Sequence, residues 1–266
     1  MSKMRLIFSK RGKAKYISHL DLMATMRRAL LRSGVRLSYS EGFNPHPYLS
    51  AALPLQVGCG SVCELIDFET AGKAAEPGTE TEAPDRDNNG NPSALPCGDP
   101  SALPCGDHSA LPCGHLSALR CRHLSALPDR MNEVLPEGIE VYEAYAAERK
   151  FKDIAWLEVC GELYYNGTAS EDIGDSLESV FSSHSIVISK KTKRGFGDVD
   201  IAPFIKDVKV SNNSIVRISA VISAQNPTIT PGDLLAALSA SSTAITPRFA
   251  LFTRTQVFDR EMQFFR

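Results

Sequence analysis

The sequence predicts an α+β protein made of two tandem ferredoxin-like halves, each a strand–helix–strand–strand–helix–strand unit. Three observations predict it. Strand-length apolar or alternating runs flank two helical segments in residues 1–149, and do so again in residues 150–260. Helix punctuation stands where those segments start and stop, at Ser18, Gly34 and Thr230-Pro231. A low-complexity tract over residues 70–128 interrupts the first half before its second helix, leaving the rest of the pattern intact.

In the first half, Met4–Phe8 (MRLIF) reads as a strand, followed by a basic connector to Lys15. Ser18 and Asp21 have the spacing of a helix cap, and Leu22, Met23, Met26, Ala29 and Leu30 then share one helical face. Asp21, Thr25, Arg28 and Arg32 fall on the opposite face, and Gly34 ends the helix. Residues 36–40 read as a second strand, residues 48–55 as extended chain, and Glu64–Glu69 as a strand with one buried face. Between them the loop Gly42-Phe43-Asn44-Pro45-His46-Pro47 is stiffened by two prolines.

From Thr70 to Pro92 the composition turns to Gly, Pro, Asn and acid, the signature of a linker. An eight-residue repeat follows, beginning PSALPCGD-PSALPCGD, with Ser at 93, 101, 109, 117 and 125. That period matches no solenoid, so the array is expected to be a flexible insertion. Its cysteines (97, 105, 113, 121) recur every eight residues, unlike the close pairs of small zinc sites. Order is expected to resume near Pro128, with a helix at 131–135 and a strand at 139–144.

The second half reads as a strand at 154–160, a helix at 170–181 and a strand at 185–189. A basic loop follows, Lys190-Lys191-Thr192-Lys193-Arg194-Gly195-Phe196-Gly197. Strands at 204–210 and 215–222 flank a Ser-Asn-Asn-Ser turn, Thr230-Pro231-Gly232-Asp233 opens a helix, and residues 249–257 form a last strand.

The 266 residues are 43% hydrophobic and 23% charged, and no apolar run reaches the roughly 18–20 residues of a membrane helix. The start, MSKMRLIF, is too short and polar for a signal peptide, so a cytoplasmic protein is expected. An odd total of seven cysteines argues against a disulfide framework. The net charge of −2 conceals segregation: residues 1–36 carry ten basic side chains against one acid, Asp21. Such a start suggests an anionic partner, with RNA or a phosphorylated ligand the usual candidates.

The segments YISHLDLM, LLRSGVRLSYSEGFNPHPYLSAALPLQVG, VLPEGIEV, GDVDIAPFI and PGDLLAAL resemble the bacterial radical-SAM-linked domain family, in its stand-alone form. The resemblance covers most of the chain outside residues 70–128 and implies a radical-SAM protein as partner. The family has no established activity, so the resemblance implies no catalytic residue. Cys59 and Cys63 match the first spacing of a radical-SAM Cys-x₃-Cys-x₂-Cys run, but position 66 is Ile, so this chain is not expected to be the radical enzyme. No metal site and no cofactor are expected.

Candidate binding residues are therefore Arg28 and Arg32 on the outer helix face, and Glu41, Phe43, Asn44 and His46 in the proline-fixed loop. Lys190, Lys191, Lys193 and Arg194 offer a second set of phosphate contacts, with Phe196 placed to stack on a base. The expected function is non-catalytic binding of RNA, or of a radical-SAM partner acting on RNA. Two alternatives stand beside it. His19 and His46 could converge as acid and base of a metal-independent endoribonuclease, by analogy with CRISPR RNA-processing enzymes of tandem ferredoxin-like fold. A purely structural protein adaptor is the other.

Overall fold

The computed structural model describes residues 2–71, 124–165, 171–192, 195–212 and 215–266. The fold is α+β, with one large mixed sheet and few helices. The first half contributes β1 (Ser2–Lys10), α1 (His19–Arg32), β2 (Leu49–Ala51), β3 (Gly60–Thr70), α2 (Leu127–Asn132) and β4 (Ile139–Ala146). The second contributes β5 (Ile154–Tyr164), α3 (Glu171–Phe181), β6 (Val187–Thr192), β7 (Gly195–Asp200), β8 (Ile205–Asn212), β9 (Val216–Ser223), α4 (Pro231–Ser241) and β10 (Phe249–Asp259).

Seven strands run in the order β4-β1-β3-β10-β5-β9-β8, and β2 also pairs with β3. Every pairing is antiparallel except β3–β10, a short parallel contact that matches Gly60 with Thr253 and Ser61 with Arg254. The two halves are thus joined through one continuous sheet. One core packs Met4, Leu6 and Phe8 of β1 and Ile66 and Phe68 of β3 against Leu22, Met26, Ala29 and Leu30 of α1. The other packs Leu157 and Val159 of β5 and Ile218 and Ile222 of β9 beneath Leu177 of α3 and Leu234 and Leu238 of α4.

The helix ends follow from their residues. The Ser18 hydroxyl accepts from the Asp21 amide at 3.2 Å and donates to the Asp21 carboxylate at 2.7 Å. Gly34, at φ +80°, donates to the Leu31 carbonyl while Val35 donates to Leu30, the paired bonds of a Schellman ending. Thr230 and Asp233 complete a reciprocal capping box at α4.

Four expectations change. Residues 36–40 do not form a strand: Leu37 and Tyr39 make only isolated bridges, to Thr70 and Pro47, because β2 at 49–51 takes the place beside β3. Strand β3 is buried on both faces, since the Asp67 carboxylate that would seek water is neutralised by Arg5. The helix expected at 131–135 begins earlier, at Leu127, with Pro128 in its first turn where a missing N–H costs nothing. The last eight-residue unit therefore places Leu127 and Met131 in the core. The remainder of the array, to residue 123, lies outside the described residues. Finally, the segment read as a strand plus a basic loop is a β6–β7 hairpin, a separate two-stranded sheet. It is anchored where the Asp200 carboxylate accepts the Ile186 and Ala202 amides, bonds that hold its pKa below the usual value.

On β5, Gly161 is buried face to face with Phe252 of β10. An added Cβ would sit 2.9 Å from Phe252 Cδ1 and Cζ and closer still to Cε1. Gly161→Ala is accordingly expected to lower stability by about 1–3 kcal/mol, the cost of overpacking. Urea unfolding of the two proteins checks this, and an unchanged midpoint would contradict it.

Candidate functional site: an N-terminal basic surface and the cleft beside it

Helix α1 buries Leu22, Met26, Ala29 and Leu30 and turns His19, Asp21, Arg27, Arg28 and Arg32 to solvent. Arg28 reaches the Thr25 hydroxyl at 3.4 Å; among the described residues, neither it nor Arg27 or Arg32 makes an ion pair. Two of the ten N-terminal cations leave this surface. Arg5 is enclosed by Asp67, and Lys10 is buried with its ammonium on the Ile17 carbonyl at 2.7 Å. Burial lowers the Lys10 pKa, an effect that nearby Glu64 opposes.

Beyond α1 the chain runs out and back along the end of β3. The Ser40 amide donates to the His46 carbonyl at 2.8 Å, and the His46 amide donates to the Ser40 hydroxyl at 2.9 Å. These bonds pinch off the loop that carries Glu41, Phe43, Asn44 and His46, all exposed. Phe43 is fully exposed and the flanking Tyr39 and Tyr48 are more than a third exposed, which makes the loop an aromatic tip. His19 begins α1 and His46 sits at the loop neck; among the described residues no hydrogen bond or ion pair joins the two.

The second predicted set is divided. The Lys190 ammonium is committed within the fold, donating to Asp233 Oδ2 and to the Thr228 carbonyl, each at 2.7 Å. It ties the hairpin to the cap of α4. Lys191 pairs through its backbone with Phe196, whose ring is exposed on β7. Lys193 and Arg194 lie outside the described residues.

Sequence reasoning missed a cleft between the halves. Its floor is formed by Leu157, Val159, Ile222 and Phe252 of β5, β9 and β10. One wall is the loop from Ala52 to Cys59, and the other runs from Ala224 to Pro231, where α4 starts. The volume is about 550 Å³, within the range of small-molecule sites. Arg254 closes its inner end, donating from Nη1 to Glu64 at 2.8 Å and from Nη2 to the Pro54 carbonyl at 3.2 Å. Burial pushes the Cys59 thiol up, against the opposing pull of Arg254, Lys10 and Lys15. Among the described residues no group of three or more His, Cys, Asp and Glu could hold a metal ion, and no helix is long and apolar enough to cross a membrane.

A family model described as an uncharacterised protein conserved in bacteria (DUF2344) matches residues 3–97 and 100–231. The chain belongs to that family. The match takes in α1, the Glu41–Pro47 loop, both walls of the cleft and the first residue of α4. No curated protein matches the chain. The cleft left no local signature because it needs residues more than 170 positions apart. An Arg at 254 reads as one more alternating residue of a strand until Glu64 is placed beside it.

Proposed function

We propose that this member of the DUF2344 family is a non-catalytic accessory module that binds RNA in the service of a radical-SAM partner. The observations that carry the RNA reading are the exposed Arg27, Arg28 and Arg32 of α1, which make no ion pair among the described residues, and the exposed aromatic loop tip at Phe43. Guanidinium groups supply the sequence-independent phosphate contacts, and an exposed ring supplies a stacking platform for an unpaired base. The radical-SAM association rests on the sequence resemblance. The strand orders β4-β1-β3-β2 and β10-β5-β9-β8 support a reading as two ferredoxin-like units, the second enlarged by the β6–β7 hairpin.

Filter binding to single-stranded RNA at several salt concentrations tests the proposal. The triple variant Arg27→Glu, Arg28→Glu, Arg32→Glu is expected to bind at least tenfold more weakly at ~0.1 M salt. The slope of log K against log salt should become shallower by about 2, three lost contacts at ~0.7 each. Phe43→Ala should weaken binding with little change of slope. Salt-independent affinity, or a triple variant that binds normally, would remove the reading. RNA cleavage abolished by His19→Ala or His46→Ala would establish the nuclease alternative instead. Co-purification with the radical-SAM protein, without RNA affinity, would establish the adaptor.

A further inference from the structure

The cleft between the halves stands apart from the RNA surface and has the make-up of a ligand site. Its body is hydrocarbon, from Leu53, Leu55, Leu157, Val159, Ile222 and Phe252. The charged residues lining it are both cations, Arg254 at the inner end and Lys152 at an exposed position; no carboxylate lines it among the described residues. Arg254 is only 8% exposed, yet two of its five N–H donors suffice for Glu64 and Pro54. Lys10 is also buried and feels the charge of Glu64, the carboxylate that pairs with Arg254. Glu64 already meets this guanidinium as its counter-ion, and its further N–H donors, in a chamber whose charged lining residues are both cations, suit an added anionic group.

We infer that this cleft binds a small amphiphile: an apolar body lying over the β5–β9–β10 floor and a single anionic head, a carboxylate or a phosphate, at Arg254. The bidentate geometry of a guanidinium suits either head. Phe252 closes over Gly161 and sets the depth of the floor. Cys59, in the wall, reports on occupancy.

Titration calorimetry with decanoate, decyl phosphate and decan-1-ol tests this on the full chain. One anionic probe or both should bind saturably, one per chain, at least tenfold tighter than the alcohol; the tighter of the two identifies the head group. Saturating anion should slow iodoacetamide alkylation of Cys59 at least fivefold, read by peptide mass mapping. Ala52→Trp, which fills the cavity from a partly exposed wall, should weaken binding at least tenfold with the fold retained by circular dichroism. The double variant Arg254→Gln, Glu64→Gln removes both charges together and should make the alcohol and the anions equal. Equal affinities in the unaltered protein, no protection of Cys59, or full binding by a folded Ala52→Trp protein would each overturn the inference.

Discussion

Asp67→Ala is expected to lower unfolding stability by about 3–5 kcal/mol, because it strands a buried cation. Asp67 is 1% exposed and faces Arg5, itself wholly buried. Arg5 donates from Nε to Oδ1 at 2.7 Å and from Nη2 to Oδ2 at 3.0 Å, while the Lys3 ammonium stands 3.0 Å from Oδ2. Nη2 also reaches the Arg149 carbonyl at 2.7 Å, and the guanidinium lies 4.5 Å from the Phe151 ring centre and 5.0 Å from that of Phe265. Arg149 continues the network to Asp259, whose carboxyl is held below its usual pKa chiefly by that bond.

The network joins β1 and β3 to the start of the second half. It is not saturated: among the described residues, Arg5 Nη1 and the Tyr145 hydroxyl are buried with no partner in full hydrogen-bond geometry. Burial pushes the Tyr145 phenol up, and the neighbouring Arg5 guanidinium opposes that shift. Replacing both charges, as Arg5→Met with Asp67→Leu, should recover most of the loss, since a packed apolar pair needs no compensation. Urea unfolding of the wild type, the single variant and the double variant measures the three values. A single-variant loss under about 1 kcal/mol would show that Arg5 finds water or another anion, contrary to the burial described.

In the folded protein, Cys63 is expected to resist alkylation about a thousandfold more than in urea at pH 8. Burial, with Glu64 adding to it, pushes its thiol up to about 12 from 9.0. Its sulfur lies 3.8 Å from the Arg254 carbonyl and 3.9 Å from the Ser61 hydroxyl. Only the thiolate reacts, and three pKa units make it about 10³ times scarcer. Peptide mapping after iodoacetamide, native against denatured, measures the ratio; a ratio below about tenfold would contradict the burial. The linkage has a definite sign. Above pH 9 the unfolded chain releases this proton while the folded chain keeps it, so stability falls as pH rises from 9 towards about 12. Tyr165, also pushed up to about 12 by burial, acts in the same direction from its ordinary 10.0. Cys63→Ala should flatten the decline above pH 9 by up to about 1.4 kcal/mol per pH unit.

Legibility in the sequence followed the range of the interactions. Ser18, Gly34 and the Thr230–Asp233 box act on neighbours within three or four residues, and each stands where the local pattern puts it. The exposure of Arg28, Arg32 and Phe43 was equally readable, because one buried helix face fixes the opposite one and two prolines hold a loop in water. Lys190 was not. Its charge suggested a phosphate contact, and only the fold brings it to Asp233, 43 positions on. Arg5 and Lys10 were counted as surface cations for the same reason; strand alternation cannot say which face a second layer will cover. The hairpin at 187–200 was hidden because glycines at 195 and 197 read as loop, although between paired strands they form a ladder.

What the sequence alone determined is the α+β class, the caps that start α1 and α4, the glycine that ends α1, and the exposure of Arg28, Arg32 and Phe43 on the first half. Those depend on propensity, periodicity and capping, all set by near neighbours. What only the tertiary structure decided is the joining of two half-sheets through Gly60–Thr253 and Ser61–Arg254, and with it the cleft. That contact spans some 190 residues and involves two residue pairs, too few and too distant to leave a pattern in the chain. Yet it brings Arg254 against Glu64 and opens the apolar chamber that the proposed amphiphile would fill.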